Sequence, residues 1–287
     1  MTRGKSLKIF MMDGEVTGRW ACTLAGRTTK AYRIPRTLYK KCSNIEELKK
    51  PAVYLLFGAE NENGRPVVYI GETEDAFMRL RDHEDKKDYW NEAIVFISQD
   101  DHFNKAHVKY LEGRLYEIAK DVARYEVMNS QKPQSASIAE DEQAEMEDFI
   151  DNVCVLTYGL GHKVFEALIK DDIVTKDTMD KELFYLRTQK GTVDAKMIRT
   201  DEGYVVLKGS KIRPSEAKST PTSAIKKRKD LIAEGTIVDN IFMKDELFAS
   251  PSGASDLVTG NSTSGRNMWK TKDGIMLGEI LDQENNS

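Results

Sequence analysis

Residues 53–84, VYLLFGAENENGRPVVYIGETEDAFMRLRDHE, hold two short apolar runs, a polar loop between them and a segment of helical spacing. Ala52 to Phe57 and Val67 to Ile70 have the β-branched and aromatic content of strands, and Asn61-Glu62-Asn63-Gly64-Arg65-Pro66 belongs to neither, so the pair reads as a hairpin. Tyr54 and Tyr69 then lie on neighbouring strands. Thr73 is placed to cap a helix from Glu74 to His83 with Phe77 and Leu80 inward, and Arg79 and His83, four residues apart, project together. Ala93 to Ser98 reads as a third strand, and Asp100-Asp101 as the cap of a long helix to about Val127 with the stripe Val108, Leu111, Leu115, Ile118 and Val122. Glu112 falls at the edge of that stripe, where a carboxylate can look into a cleft.

Working outward, 287 residues are enough for at least two domains. A hydrophobic share of 40%, a charged share of 31% and the lack of any long apolar window lead to the expectation of a cytoplasmic protein with no membrane segment. Cys22, Cys42 and Cys154 are odd in number and widely spaced, which fits neither a disulfide framework nor a cysteine zinc site. His83, His102, His107 and His162 form no HxH or HExxH pattern, so an expected metal is a hard ion held by oxygen.

Charge is unevenly spread. Residues 1–50 hold twelve Lys/Arg against four Asp/Glu, residues 134–190 six against thirteen, and residues 204–229 eight against one. Basic segments on either side of an acidic middle suit a chain that lays its ends on a polyanion, and they suit solvated surface charge equally well. Expected nucleic-acid contacts are Arg36 and the run Lys226, Lys227, Arg228 and Lys229.

Cutting a phosphodiester requires an activated water, a counter-charge for the transition state and help for the leaving alkoxide. Glu112 is a candidate ligand for Mg²⁺ or Mn²⁺, and the forked guanidinium of Arg79 matches phosphate oxygens. Tyr54 or Tyr69 would take the water's proton if a neighbour lowered the phenol's pKa; His83 is the other candidate acceptor. Taken singly, the tyrosines are ordinary strand residues, Gly71 marks a turn, and Arg79, His83 and Glu112 are solvated helix charges. His107 reads as a core-edge histidine and Trp269 as core, with stacking on a nucleobase a second role for Trp269.

In combination these residues resemble the GIY-YIG nuclease family. Tyr69-Ile70-Gly71 is the second half of its motif unaltered, Tyr54 matches the tyrosine of the first half, and Arg79 and His83 match the helix arginine and the residue four later. Glu112 matches the metal-binding glutamate, and Asn129 falls near a late asparagine that supports the site. Ala52 stands where the first half usually has glycine, and Glu72 where repair-type members carry a lysine. The resemblance covers about residues 51–130. Phe248 to Ser252, Asn261, Gly265-Arg266, Trp269-Lys270 and Asp273-Gly274 resemble a small domain of unknown function that accompanies such nucleases, and the RAMA domain of restriction and methylation proteins, proposed to read DNA modification.

The resemblance implies an α/β protein that hydrolyses DNA with Mg²⁺; the rival expectation is a non-catalytic DNA-binding or regulatory protein retaining the same fold. The expected organisation is a basic N-terminal extension with a β-hairpin (1–48), a small antiparallel sheet flanked by helices (49–130), a linker (131–147), a helical connecting region (148–202) and an α+β C-terminal domain for DNA recognition (203–287).

Overall fold

The computed structural model describes residues 4–61, 64–169, 183–188 and 191–285. Two units are distinguished, Met1–Glu166 and Ala167–Ser287, and both are mixed α/β.

In the first unit Leu7–Met11 (β1), Trp20–Leu24 (β2), Thr29–Pro35 (β3), Ala52–Glu60 (β4), Pro66–Thr73 (β5), Trp90–Ser98 (β6) and Glu126–Val127 (β7) form one sheet in the order β1-β2-β3-β6-β4-β5-β7. All pairs are antiparallel except β5 with β7. The near-continuous apolar runs of β4 and β6 follow from burial on both faces. Val53, Leu55 and Phe57 pack on one face with Leu111, Leu115 and Val153, from helices Lys105–Val122 (α2) and Glu140–Gly159 (α3). Ala52, Tyr54 and Leu56 pack on the other with Ala76 and Leu80 of helix Ala76–Lys86 (α1).

The separate N-terminal extension expected at 1–48 is corrected by this sheet. β3 pairs with β6 along a ladder from Thr29↔Ser98 to Pro35↔Glu92, so the hairpin β1–β2 continues the same sheet. Lys30 and Arg33, two of the cations counted in the basic segment 1–50, pair with Glu47 and Glu92. Pro66, expected in the loop, opens β5, the strand position that proline tolerates.

Helix starts also shift. Asp75, not Thr73, caps α1 by accepting from the Met78 N–H at 2.9 Å, while Thr73 Oγ1 accepts from the Asp75 N–H in the preceding turn. Asn104, not Asp100-Asp101, caps α2 by accepting from the Ala106 and His107 N–H groups. α2 stops at Val122 because Ala123 turns left-handed, which frees Glu126–Val127 to join the sheet. The acidic stretch expected as a linker at 131–147 contains the start of α3 at Glu140, where Glu140, Asp141 and Glu142 suit the positive end of a helix dipole.

In the second unit Leu183–Arg187 (β8), Asp194–Thr200 (β9), Gly203–Val206 (β10) and Glu246–Phe248 (β13) form a sheet in the order β13-β10-β9-β8. Ile237–Val238 (β11) and Ile241–Phe242 (β12) pair across Asp239-Asn240, both at positive φ as a tight hairpin turn demands. The helical region expected at 148–202 is therefore corrected: β8 and β9 belong to the C-terminal sheet, and residues 170–182 and 189–190 lie outside the described residues. Helices Thr222–Ala233 (α4), Pro251–Thr259 (α5), Gly265–Met268 (α6) and Leu277–Asn285 (α7) complete the unit. Trp269 is fully buried and donates its indole N–H to Pro251 O at 3.0 Å, which removes it from any stacking role on a base.

Candidate functional site

Tyr54 pairs across the sheet with Gly71, and Tyr69 with Leu56, so the two phenols are diagonal neighbours on the α1 face, ring centroids 6.2 Å apart. Gly71 is mid-strand rather than in a turn. A Cβ there would stand 2.4 Å from both Cζ and Oη of Tyr54, so the glycine is the space into which the Tyr54 ring lies. Sequence spacing gave no sign of that steric requirement.

α1 supplies the polar partners. Tyr54 Oη accepts from Arg79 Nε at 3.1 Å and lies 2.7 Å from His83 Nε2, in a buried contact. Burial, with the charges of Arg79 and Lys87, pushes the His83 pKa down to about 4, so the imidazole is neutral near pH 7. Since Arg79 only donates, the hydroxyl hydrogen of Tyr54 is left to be donated to His83 Nε2. Burial pushes the Tyr54 phenol upward, the neighbouring Tyr69 adds to the rise, and Arg79 opposes it.

Glu112 reaches the site by a different route, because α2 packs on the face opposite α1. Along the side of β5 away from β4, outward-pointing backbone groups recur every second residue. Val68 O accepts from the Met128 N–H at 2.8 Å; Ile70 donates to Asn129 Oδ1 at 3.1 Å and accepts from Asn129 Nδ2 at 2.8 Å. Two residues further, the backbone of Glu72 lies near enough to the Glu112 carboxylate to oppose the rise in its pKa. Glu112 is thus half-buried near Glu72 at the end of β5, with the charges of Arg79 and Lys105 acting on it. Burial and the nearby Glu72 carboxylate raise its pKa to about 7.

The four residues Tyr54, Tyr69, Arg79 and His83 form one contacting group, and Glu112 approaches it electrostatically, without a hydrogen bond to any of the four among the described residues. Asn129 touches none of the group's polar atoms; it clamps Ile70 between Tyr69 and Gly71 and so holds the strand that carries them. Among the described residues no group of three or more His, Cys, Asp or Glu side chains is arranged around a common metal position. Glu112 and Glu72 supply two neighbouring carboxylates, and Lys105 Nζ holds Glu72 at 2.8 Å. Lys87, which the sequence reading passed over, lies with its Nζ 3.6 Å from the Tyr69 ring centroid. Its position, four residues after His83 and eight after Arg79, was the available signal.

The expected phosphate contacts are partly withdrawn. Arg36 is half-buried, paired with Glu84 at 2.8 Å, bonded to Trp90 O and laid over the Trp90 ring. Arg228 is buried on the inward stripe of α4 with Glu216 at 3.4 Å and the Arg213 carbonyl. Lys227 donates to Leu247 O at 2.8 Å and pairs with Glu246 at 3.0 Å. Lys226 and Lys229 are exposed. The three cysteines are free thiols, and His107 is buried beside Glu142, as its core-edge reading required.

Comparison with known proteins identifies one region. Residues 184–281, about a third of the chain, match a family model described as Domain of unknown function (DUF4357). The match begins at β8, 19 residues before the boundary expected at 203, and agrees with the four-stranded C-terminal sheet. No curated protein and no solved structure matches the chain. No helix among the described residues is long and apolar enough to cross a membrane.

Proposed function

We propose that the protein is a metal-dependent DNA endonuclease whose first unit works as a GIY-YIG nuclease and whose C-terminal domain helps to hold DNA. The observation that carries this is the state of Arg79: it is half-buried and held by a phenol, with no carboxylate partner among the described residues, which leaves its charge for an anion. A guanidinium kept this way suits the growing charge on a phosphate undergoing substitution.

The proton route belongs to Tyr54 and His83. A neutral imidazole 2.7 Å from a phenol can take its proton as the phenol takes one from water, so Tyr54 and His83 share the base role that sequence left open among Tyr54, Tyr69 and His83. Tyr69, edge-on to His83, helps fix the ring that makes this contact.

A divalent ion fits beside Glu112: burial and the neighbouring Glu72 carboxylate raise the cost of its charge, and a hard cation relieves it. Mg²⁺ or Mn²⁺ bound to Glu112 would stabilise the leaving oxygen. In the C-terminal domain Lys226 and Lys229 are the members of the basic run free to touch phosphates, contacts that give affinity without sequence information.

The test is incubation of the purified chain with plasmid and single-stranded DNA in Mg²⁺, Mn²⁺ or chelator. Cleavage is expected with either ion and none with chelator. Glu112→Ala should abolish cutting and leave DNA affinity in chelator unchanged, and Arg79→Ala should slow single-turnover cutting at saturating DNA. Salt-sensitive binding without cutting under any ion would establish the non-catalytic alternative instead.

A further inference from the structure

Most half-buried cations around the first sheet have a carboxylate of their own. Lys30 pairs with Glu47, Arg33 with Glu92 and Arg36 with Glu84. Arg79 and Lys87 have none among the described residues. Lys87 Nζ is held over the face of Tyr69, 3.6 Å from its centroid, and donates to Tyr89 Oη at 3.3 Å. Both contacts orient an ammonium without neutralising it. Burial and then the charge of Arg79 push the Lys87 pKa down, which places the two cations within each other's field. Two like charges kept together in partly dry surroundings are stabilised by an anion reaching both.

We propose that Arg79 and Lys87 form a two-cation phosphate subsite, in which Lys87 grips a phosphate of the substrate strand adjoining the one that Arg79 contacts. This rests on the nuclease proposal and adds to it a residue for positioning the strand. Lys87 does not touch the reacting group, so it acts on substrate binding, whereas Arg79 acts on the chemical step. Tyr69 then has a second task, as the platform under the ammonium. A nearby Tyr89 hydroxyl limits the ammonium's swing.

The experiment uses the full chain and a duplex that wild type binds and cuts. In chelator, the slope of log affinity against log salt should fall by about one for Lys87→Ala and be restored in Lys87→Arg. With Mg²⁺, single-turnover cutting by Lys87→Ala should need about tenfold more DNA for half-maximal rate, with the rate at saturation within about twofold of wild type. Folding should survive, because it is the backbone N–H of residue 87 that closes α1 onto His83 O. Lys87→Gln, closer to lysine in length than alanine, should repeat the loss. An unchanged salt slope and unchanged half-saturation, in a protein that still cuts, would overturn the subsite and leave the nuclease proposal standing. A wild-type protein that neither binds nor cuts DNA would overturn both.

Discussion

Gly71→Ala tests the central piece of packing directly. The new Cβ would lie 2.4 Å from Tyr54 Cζ and Oη and 2.9 Å from Cε1, where carbon atoms prefer about 3.5–4.0 Å. Strand β5 is held on one side by β4 and on the other by Asn129, so relief falls on the Tyr54 ring, which must move by about 1 Å. Such a shift takes Oη out of hydrogen-bonding range of His83 Nε2 or of Arg79 Nε, now at 2.7 and 3.1 Å. Overpacking costs about 1–3 kcal/mol and a buried hydroxyl left without a partner about 1–3 kcal/mol, so about 2–6 kcal/mol is expected. The assay is urea unfolding of Gly71→Ala in two backgrounds, wild type and Tyr54→Leu, since leucine lacks the atoms the Cβ would meet. In the leucine background the same change should cost under about 1 kcal/mol, or gain slightly from alanine's lower entropy cost in a strand. Equal costs in both backgrounds would show that Gly71 is required for some reason other than Tyr54, and the steric argument would fail.

The stability of the first unit should also depend on pH through two opposing groups. His83, with a pKa lowered from 6.5 to about 4, contributes stability that is complete above about pH 6.5 and falls by about 3 kcal/mol as pH drops to about 4. Glu112, raised from 4.5 to about 7, contributes stability below about pH 4.5 that is lost by a similar amount as pH rises to about 7. The two cancel near pH 4.5–6.5, so Glu112→Gln should make urea stability climb with pH there and His83→Gln should make it fall; slopes matching wild type would refute both assignments. Asn129→Ala removes two hydrogen bonds to Ile70 and should cost about 2 kcal/mol, with faster exchange of the Ile70 amide hydrogen as its local signature. Arg228→Ala should destabilise the second unit by about 2–3 kcal/mol, whereas exposed Lys229→Ala should change stability by under about 0.5 kcal/mol, both read by thermal unfolding.

What the sequence conveyed was mostly local. The hairpin β4–β5, the helix after it and the one-turn spacing of Arg79 and His83 depend on neighbours within a few residues, where period and turn chemistry operate. The joining of β3 to β6 spans some sixty residues, and its signal was hidden by Lys30 and Arg33, whose charges are answered by glutamates elsewhere in the chain. Arg228 could have been recognised as inward, since Ala224, Arg228 and Leu231 are spaced four and three apart; counting charge in the basic run discarded that spacing. The helix boundaries moved because Asp75 and Asn104 capture the free N–H groups, while Thr73 ends strand β5 and Asp100-Asp101 lie just after β6.

The candidate site shows why residue identity and residue placement are separate pieces of information. Glu112 was expected at the margin of the buried face of α2, and from helix geometry alone that margin could face either side of the sheet. Strand parity decides its neighbour: with the backbone groups of Val68 and Ile70 turned outward, those of Glu72 are outward too, and they act on the Glu112 carboxylate. Asn129 ends the capped part of that edge at Ile70, leaving the next outward position to Glu112. The same rule makes Glu72 the neighbour that raises the Glu112 pKa, so substituting Glu72 alters charge beside Glu112 without touching Tyr54, Arg79 or His83. Arg79 and Lys87, which have no carboxylate partner among the described residues, and the Glu112 carboxylate beside Glu72 are each unfavourable in isolation, and a phosphate with a hard cation would relieve both.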